Sequence, residues 1–262
     1  MARSPGKVFL VGAGPGAPDL ITLRGADVLK RANIVFHDAL VHPETLALAG
    51  RAEKVAVGKR CGKHSTAQRF INKRLIDAAR KHKVVVRLKG GDPLLFGRAQ
   101  EEIAALRAAG IGYEIVPGVT AALGAAADAG VSLTQRGLAR SVVFVTPRVG
   151  EGEVPSTWAK SAAAADTAII YMGAGQAAHI AAMLTAHGMA PNTPIAIVEN
   201  ATLPNARRFF LRLSELGRAA ELGLDGPAVI MLGAVVAGAV GDAEDPRLSV
   251  EGPSAEGSLL SA

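Results

Sequence analysis

The chain has 262 residues, 49% of them apolar, 4% aromatic and 30 of them glycine, which is enough apolar material for one large or two ordinary domains and excludes a mostly disordered chain. Its formal charge is +6, and a single cysteine, Cys61, excludes an internal disulfide and speaks against a cysteine-based metal site. No secretory pattern opens the sequence, and its apolar runs are too short to span a bilayer, so an α/β protein in the cytoplasm, away from membranes, is expected.

In chain order, residues 7–11 read as a strand, followed by the loop Gly12-Ala13-Gly14-Pro15-Gly16-Ala17-Pro18-Asp19 and a helix over 22–31. Strands are expected at 34–36 and 54–57, and a helix over 68–81 leads into an apolar strand that begins at Val84. A helix over 98–109 and a strand over 113–116 close this half, and the alternation implies mostly parallel pairing. After the small-residue stretch 118–130, strands are expected at 141–145, 168–172, 195–198, 209–213 and 228–232, the last two as hairpin-like partners in a more mixed sheet. The expected organisation is a flexible start (1–6), an α/β domain over 7–136, a second over 137–241 and a disordered acidic tail over 242–262. The junction is expected near 133–140, with a loop over 147–155 inside the second domain.

The charge is uneven. The last 21 residues hold five acids against Arg247 alone, leaving 28 basic and 18 acidic side chains elsewhere. Between Gly58 and Arg74 stand Lys59, Arg60, Lys63, Arg69, Lys73 and Arg74 with no acid, a cluster that attracts polyanions or forms a solvated face. Only Phe70 offers a ring for stacking there, which favours a small polycarboxylate over nucleic acid.

The most informative segment is Val84 to Arg98. An apolar strand runs into Gly90-Gly91-Asp92-Pro93, with glycines that admit close backbone approach and a carboxylate at the carboxyl end of the strand, where open α/β sheets bind ligands. Arg87 and Lys89 interrupt an otherwise buried run. The first loop admits two readings. Gly12, Gly14 and Ala17 fit the G-x-G-x-x-A dinucleotide fingerprint, with Asp38 placed to bind a ribose. Pro15, however, offers no N–H to a pyrophosphate, whereas a ligand without phosphates has no need of one.

Several motifs occur together: Gly12-Ala13-Gly14-Pro15-Gly16, Asp38-Ala39-Leu40-Val41, Gly58-Lys59-Arg60, the Val84–Arg98 segment, Pro117-Gly118-Val119-Thr120-Ala121, Tyr171-Met172-Gly173 and Val198-Glu199-Asn200-Ala201-Thr202. On these the chain resembles the tetrapyrrole methylases over roughly residues 7–235, most of all the branch acting on uroporphyrinogen III. The resemblance implies two α/β domains holding S-adenosylmethionine in the cleft between them, in a homodimer, with no metal. It implies two successive methyl transfers that convert uroporphyrinogen III to precorrin-2 by way of precorrin-1, in sirohaem or cobalamin synthesis. Carried over, the cofactor contacts fall on Pro15, Gly90, Gly91, Asp92, Leu95, Thr120, Ala121, Met172 and Ala201, the proton acceptor on Asp38 and the proton donor on Lys59. Asp38 reads equally well as a loop-closing acid, Lys59 as a salt-bridge partner of the substrate, and Met172 as a core residue.

A substrate with eight carboxylates gives the basic body a purpose. Arg87, Lys89, Lys59, Arg60, Lys63 and Arg136 are the candidate contacts. The chain departs from the family pattern at Ala99-Gln100, Asp128, Gln135 and Pro147-Arg148, which bears on regiochemistry and methylation count. A methylase of a later precorrin, a dinucleotide-dependent oxidoreductase and a non-catalytic cofactor-binding protein associated with RNA stand as alternatives.

Overall fold

The computed structural model describes residues 5–57, 66–150, 154 and 156–239. Lys59, Arg60, Cys61, Lys63, most of the expected flexible start and the whole expected acidic tail lie outside them.

The first half builds five strands: β1 (Lys7–Gly12), β2 (Ile34–His37), β3 (Glu53–Ala56), β4 (Val84–Lys89) and β5 (Tyr113–Val116). They pair in the order β3-β2-β4-β1-β5, every pair parallel. Helices α1 (Leu23–Lys30), α2 (Pro43–Ala47), α3 (Thr66–Ala79) and α4 (Ala99–Ala108) connect them. Helices cover both faces of this sheet, so its central strands are apolar on both sides. Val8, Leu10, Ile34, Phe36 and Val85 meet Ile71, Leu75, Ile103 and Leu106 of α3 and α4. Phe9, Val11, Val35, Val86 and Leu88 meet Val28 and Leu29 of α1. Each such fully buried aliphatic side chain contributes about 1.5–3 kcal/mol. Thr22 starts α1, its hydroxyl accepting the Gly25 N–H at 3.1 Å.

The second half builds β6 (Val142–Val145), β7 (Thr167–Tyr171), β8 (Pro194–Glu199), β9 (Arg207–Arg212) and β10 (Ala228–Gly233), in the order β6-β7-β10-β8-β9. Only β6 and β7 run parallel; the other pairs are antiparallel. The expected mixed sheet is present, but β9 and β10 do not pair with each other. Both flank β8, because the 3-10 segment Leu213–Leu222 carries the chain from β9 over the sheet before β10 begins. Helices α6 (Trp158–Ala164) and α7 (Ala177–Ala186) pack with that segment on one face, around Ile170, Ile195, Ile197 and Ile230.

The other face is covered by α5 (Ala121–Asp128), a helix within the small-residue stretch. Ala122, Ala125, Ala126 and Ala129 pack on Ile169, Ala196, Val198 and Met231 of the second sheet. By packing, then, the second unit takes in α5, which precedes the expected boundary at 136. Residues 133–140 form a tight turn, with Gln135 and Ala139 bridged and Gly137 at φ +78°. Among the described residues no helix is long and apolar enough to cross a membrane.

Candidate active site at the carboxyl ends of the strands

Strands β1 and β4 are neighbours, yet the chain leaves β1 toward β2 and leaves β4 toward β5. Their loops part and open a crevice, the point at which open α/β sheets take ligands. Glycine lets three loops meet backbone to backbone there. A Cβ on Gly118 would lie 2.4 Å from the Gly91 carbonyl oxygen and 2.8 Å from the Gly12 Cα, so no larger residue fits without displacing main chain. Gly14 and Gly91 bond each other reciprocally, N to O at 3.3 and 2.7 Å, and the Ala13 N–H donates to the Lys89 carbonyl at 2.7 Å. The Asp92 carboxylate ties the β4 loop to the β5 loop: Oδ1 accepts from Leu94 N at 2.8 Å and Oδ2 from Gly118 N at 2.9 Å.

Strand ends of the second sheet form the facing wall. The Tyr171 hydroxyl lies 2.6 Å from the Thr120 hydroxyl and accepts the Ala122 N–H at 3.0 Å, so it caps the start of α5. Its ring contacts Phe96 of the β4–α4 loop at 5.1 Å between centroids and Phe144 of β6 at 6.3 Å. Burial pushes the Tyr171 hydroxyl pKa up, against the lowering effect of these hydrogen bonds. Below, the Ala17 N–H donates to Thr202 Oγ1 at 2.9 Å, and the Thr202 N–H donates to Asp128 at 2.6 Å. Asp128 thus latches the β8–β9 loop to α5. A Cβ on Gly16 would strike the Ala201 carbonyl at 2.7 Å, and one on Gly124 would strike Pro15 at 2.8 Å. Five non-glycine residues among those described have positive φ: Phe96, Arg98, Met172, Asn200 and Thr202. All stand on loops facing this crevice, the concentration of backbone strain that functional sites show.

These contacts bring Pro15, Gly91, Asp92, Thr120, Ala121 and Ala201 together, and Gly90, Leu95 and Met172 stand one to three residues along the chain from Gly91, Asp92 and Tyr171. Met172 is 43% exposed with φ +56°, so it is not a core residue. Leu40, also exposed, overhangs Gly90. The dinucleotide fingerprint fails on geometry: Ala13, Gly14 and Ala17 have given their N–H groups to Lys89, Gly91 and Thr202, and Pro15 has none. In addition α1 begins at Leu23, beyond a 3-10 turn, so its N-terminus does not open directly from the loop. A ligand without phosphates fits this donor-poor loop.

The two basic residues of β4 are not where a substrate carboxylate reaches them. Arg87 and Lys89 are each 3% exposed and alternate onto the α4 face, where Glu102, at 0%, receives both. Arg87 Nε donates to Glu102 at 3.0 Å and its Nη2 to Asp38 at 2.5 Å, while Lys89 Nζ lies 3.3 Å from Glu102. Burial opposes the charge on Arg87, but Asp38 and Glu102 outweigh it and raise its pKa. Burial and the neighbouring Arg87 lower that of Lys89. Arg136 is exposed in the 133–140 turn. Leu133 in that turn accepts from Thr167, the first residue of β7, which places Arg136 at the opposite end of the second sheet from Tyr171. Asp38 follows the last residue of β2 and is half-buried, with one oxygen on Arg87 and 28% of its side chain exposed.

Sequence reasoning passed over Glu102, the aromatic pair Phe96 and Tyr171 as site residues, and Thr202. Glu102 left a signal: it lies with Ala99, Ile103 and Leu106 on the buried stripe of α4, at the spacing of an apolar face.

A parallel sheet whose glycine loops converge, closed by strand ends of a mixed sheet with an aromatic rim, defines a two-domain α/β protein with a cleft for a phosphate-free small ligand. A family model described as Tetrapyrrole (Corrin/Porphyrin) Methylases matches residues 7–217, and the chain belongs to that family. It is 45% identical over 235 residues to siroheme synthase 1 of Klebsiella pneumoniae, covering 89% of this chain and 50% of that protein. The chain spans about half the length of the curated relatives it matches. Among solved structures it matches the native form of the uroporphyrin III C-methyl transferase of Thermus thermophilus, at 41% identity and TM-score 0.79, covering 88% of this chain and 99% of that one. The Thermus enzyme complexed with S-adenyl homocysteine matches at 40% identity and TM-score 0.77, with the same coverage. A cobalt precorrin-4 methyltransferase matches at 29% identity and TM-score 0.77, covering 88% and 95%.

Proposed function

We propose that the chain transfers methyl groups from S-adenosylmethionine to ring carbons of uroporphyrinogen III, twice in succession, giving precorrin-2 by way of precorrin-1 for sirohaem or cobalamin synthesis. The observation that carries the reading is the donor-poor first loop within a glycine-floored, aromatic-rimmed cleft, which suits an adenosine ligand that has no phosphates. The 41% identity to a uroporphyrin III C-methyl transferase supports the substrate. Pro15, Gly90, Gly91, Asp92, Leu95, Thr120, Ala121, Met172 and Ala201 are the cofactor contacts in this reading. S-adenosylmethionine supplies a methyl already activated by its sulfonium.

The tasks left to the protein are alignment, exclusion of water and removal of one proton. Gly90 and Gly91 admit the ligand close to main chain, and the Asp92 carboxylate, fixed by two N–H groups, sets negative charge beside a cationic ligand. Asp38, held by Arg87, takes the proton that the positively charged macrocycle loses after methylation, and Lys59 is the proton donor. Lys59, Arg60 and Lys63 meet the carboxylate arms of the substrate, while Arg87 and Lys89 support Asp38 from within. The functional unit is a homodimer.

Mass spectrometry of the tetrapyrrole after incubation with S-adenosylmethionine tests this directly, with two added methyl groups expected. The Asp128 latch and the likeness to a cobalt precorrin-4 methyltransferase favour one competing reading, a methylase of a later precorrin. An unmodified uroporphyrinogen together with a methylated later precorrin would establish that reading instead. Tight NAD binding with no response to S-adenosylhomocysteine in calorimetry would remove both.

A further inference from the structure

We propose that Glu102 is a positioning residue for Asp38: by anchoring Arg87 it aims the guanidinium at the Asp38 carboxylate and sets how strongly that carboxylate holds a proton. The coupling stands on geometry, and its consequence for turnover rests on the reading of Asp38 as proton acceptor.

Glu102 is fully buried near the start of α4, and its Oε1 takes three donors: Arg87 Nε at 3.0 Å, Lys89 Nζ at 3.3 Å and Gln68 Nε2 at 3.2 Å. Gln68 is itself oriented by Asn72, at 3.0 Å. Arg87 gives its remaining bonds to the carbonyls of Phe36 and Leu88 and to Asp38. A guanidinium is a rigid plane, so fixing its Nε edge on Glu102 fixes where Nη2 points. Lysine at this position has no second edge with which to bridge the two acids. The group holds two cations and the Glu102 anion out of water, with Asp38 half-buried beside them, and removing any one leaves a charge without compensation. Among the described residues Arg87 on β4 is the charged group bonded to Asp38, with Glu102 on α4 reached through it and Lys89 close enough to feel the Asp38 charge. From its own segment, His37 Nδ1 lies 3.1 Å from the Asp38 carbonyl, and His42 caps the following helix.

The signs follow from the charges. In Glu102→Gln the repulsion on the Asp38 anion is lost and Arg87 is no longer shared, so Asp38 releases its proton more readily. In Lys89→Met the charge of Glu102 falls on Arg87 alone, Arg87 is drawn away, and Asp38 holds its proton more tightly. The two substitutions therefore move the Asp38 midpoint in opposite directions.

The test is a carboxyl-carbon NMR titration of the full chain labelled with ¹³C at aspartate Cγ, with Asp38→Asn assigning the resonance. The expected result is a downward shift of the Asp38 midpoint in Glu102→Gln, an upward shift in Lys89→Met, and a midpoint near that of the wild type in Glu102→Asp, which restores the charge. With uroporphyrinogen III, Glu102→Gln is expected to lose roughly three- to tenfold in kcat with the KM for S-adenosylmethionine unchanged, and the acid limb moves with the NMR midpoint. Lowered melting temperatures with an unmoved Asp38 midpoint in folded variants would overturn the proposal, since that is the signature of a purely structural glutamate. Should Glu102→Gln fail to fold, Lys89→Met and Glu102→Asp decide it in the same way. An Asp38→Asn protein that methylates at the wild-type rate ends the proton-acceptor reading, while the midpoints still decide the coupling.

Discussion

Replacing Gly118 by alanine tests the three-loop floor of the cleft with a single methyl group. The added Cβ would stand 2.4 Å from the Gly91 carbonyl oxygen, where real contacts do not fall below 3.0 Å, so main chain must move by about 0.6 Å. That oxygen already accepts the Gly14 N–H at a long 3.3 Å, and such a movement takes the pair out of hydrogen-bonding range. The adjoining bond from Gly118 N to Asp92 is stretched in the same step. Overpacking costs about 1–3 kcal/mol and the lost hydrogen bond about 1 more. For a chain of this size, roughly 2–4 kcal/mol lowers the melting temperature by about 5–15 °C. The cofactor loops shift with it, and affinity for S-adenosylhomocysteine is expected to fall tenfold or more. Gly112→Ala is the control: its Cβ would meet nothing within 4 Å, so melting and binding should stay as in the wild type. Differential scanning calorimetry and isothermal titration read both effects. A Gly118→Ala protein that melts within about 2 °C of the wild type and binds S-adenosylhomocysteine as tightly would refute the close-approach reasoning.

Three further outcomes are expected. Asp38→Asn should slow methyl transfer by roughly 10²–10⁴-fold while leaving S-adenosylhomocysteine affinity nearly unchanged, and a normal turnover rate would remove Asp38 from the mechanism. Tetrapyrrole affinity should weaken steadily as salt rises if Lys59, Arg60 and Lys63 meet the carboxylate arms, whereas a salt-independent affinity would assign those charges to solvent. Glu199 is buried, which alone would raise its pKa, but the N–H groups of Gly226 and Asp225 and the Arg207 guanidinium hold it below the ordinary carboxylate range. Its stabilising contribution is therefore complete above that range and disappears as pH falls through the lower native value. Thermal melts of Glu199→Gln should show a loss of about 1–3 kcal/mol at neutral pH that narrows in acid, and a gap that widens in acid would contradict this sign.

Much of the first sheet was legible because parallel strands buried on both faces appear as short apolar runs between glycine and proline. The expectation of 113–116 coincides with β5, and the others fall within a residue or two of β1 to β4. The helices α5, α6 and α7 were not legible: they are short and dominated by alanine, which stands on buried and exposed sides alike, so too few polar residues remain to declare an amphipathic period. The partners of β9 and β10 were hidden for another reason, since pairing across a long connection leaves no local trace. In the site, Gly90, Gly91 and Asp92 could be read from backbone logic alone. Arg87 and Lys89 could not, because a cation in a buried strand looks the same whether its partner is a ligand or a helix. The partner, Glu102, sits thirteen residues beyond Lys89 on a stripe that otherwise reads as apolar.

The allegiance of α5 to the second sheet has a mechanical consequence. The covalent crossing between the two halves is the peptide from Pro117 to Thr120, not the turn at 133–140, and that peptide carries Gly118 against the floor and Thr120 against Tyr171. Any swing of one sheet relative to the other must bend the same bonds that line the cleft, so gripping a ligand and stiffening the pivot are a single event. Cutting the chain at residue 136 would leave α5 on the wrong fragment, its alanine face wetted and the second sheet stripped of its cover. The two halves can be told apart, but they cannot be taken apart there.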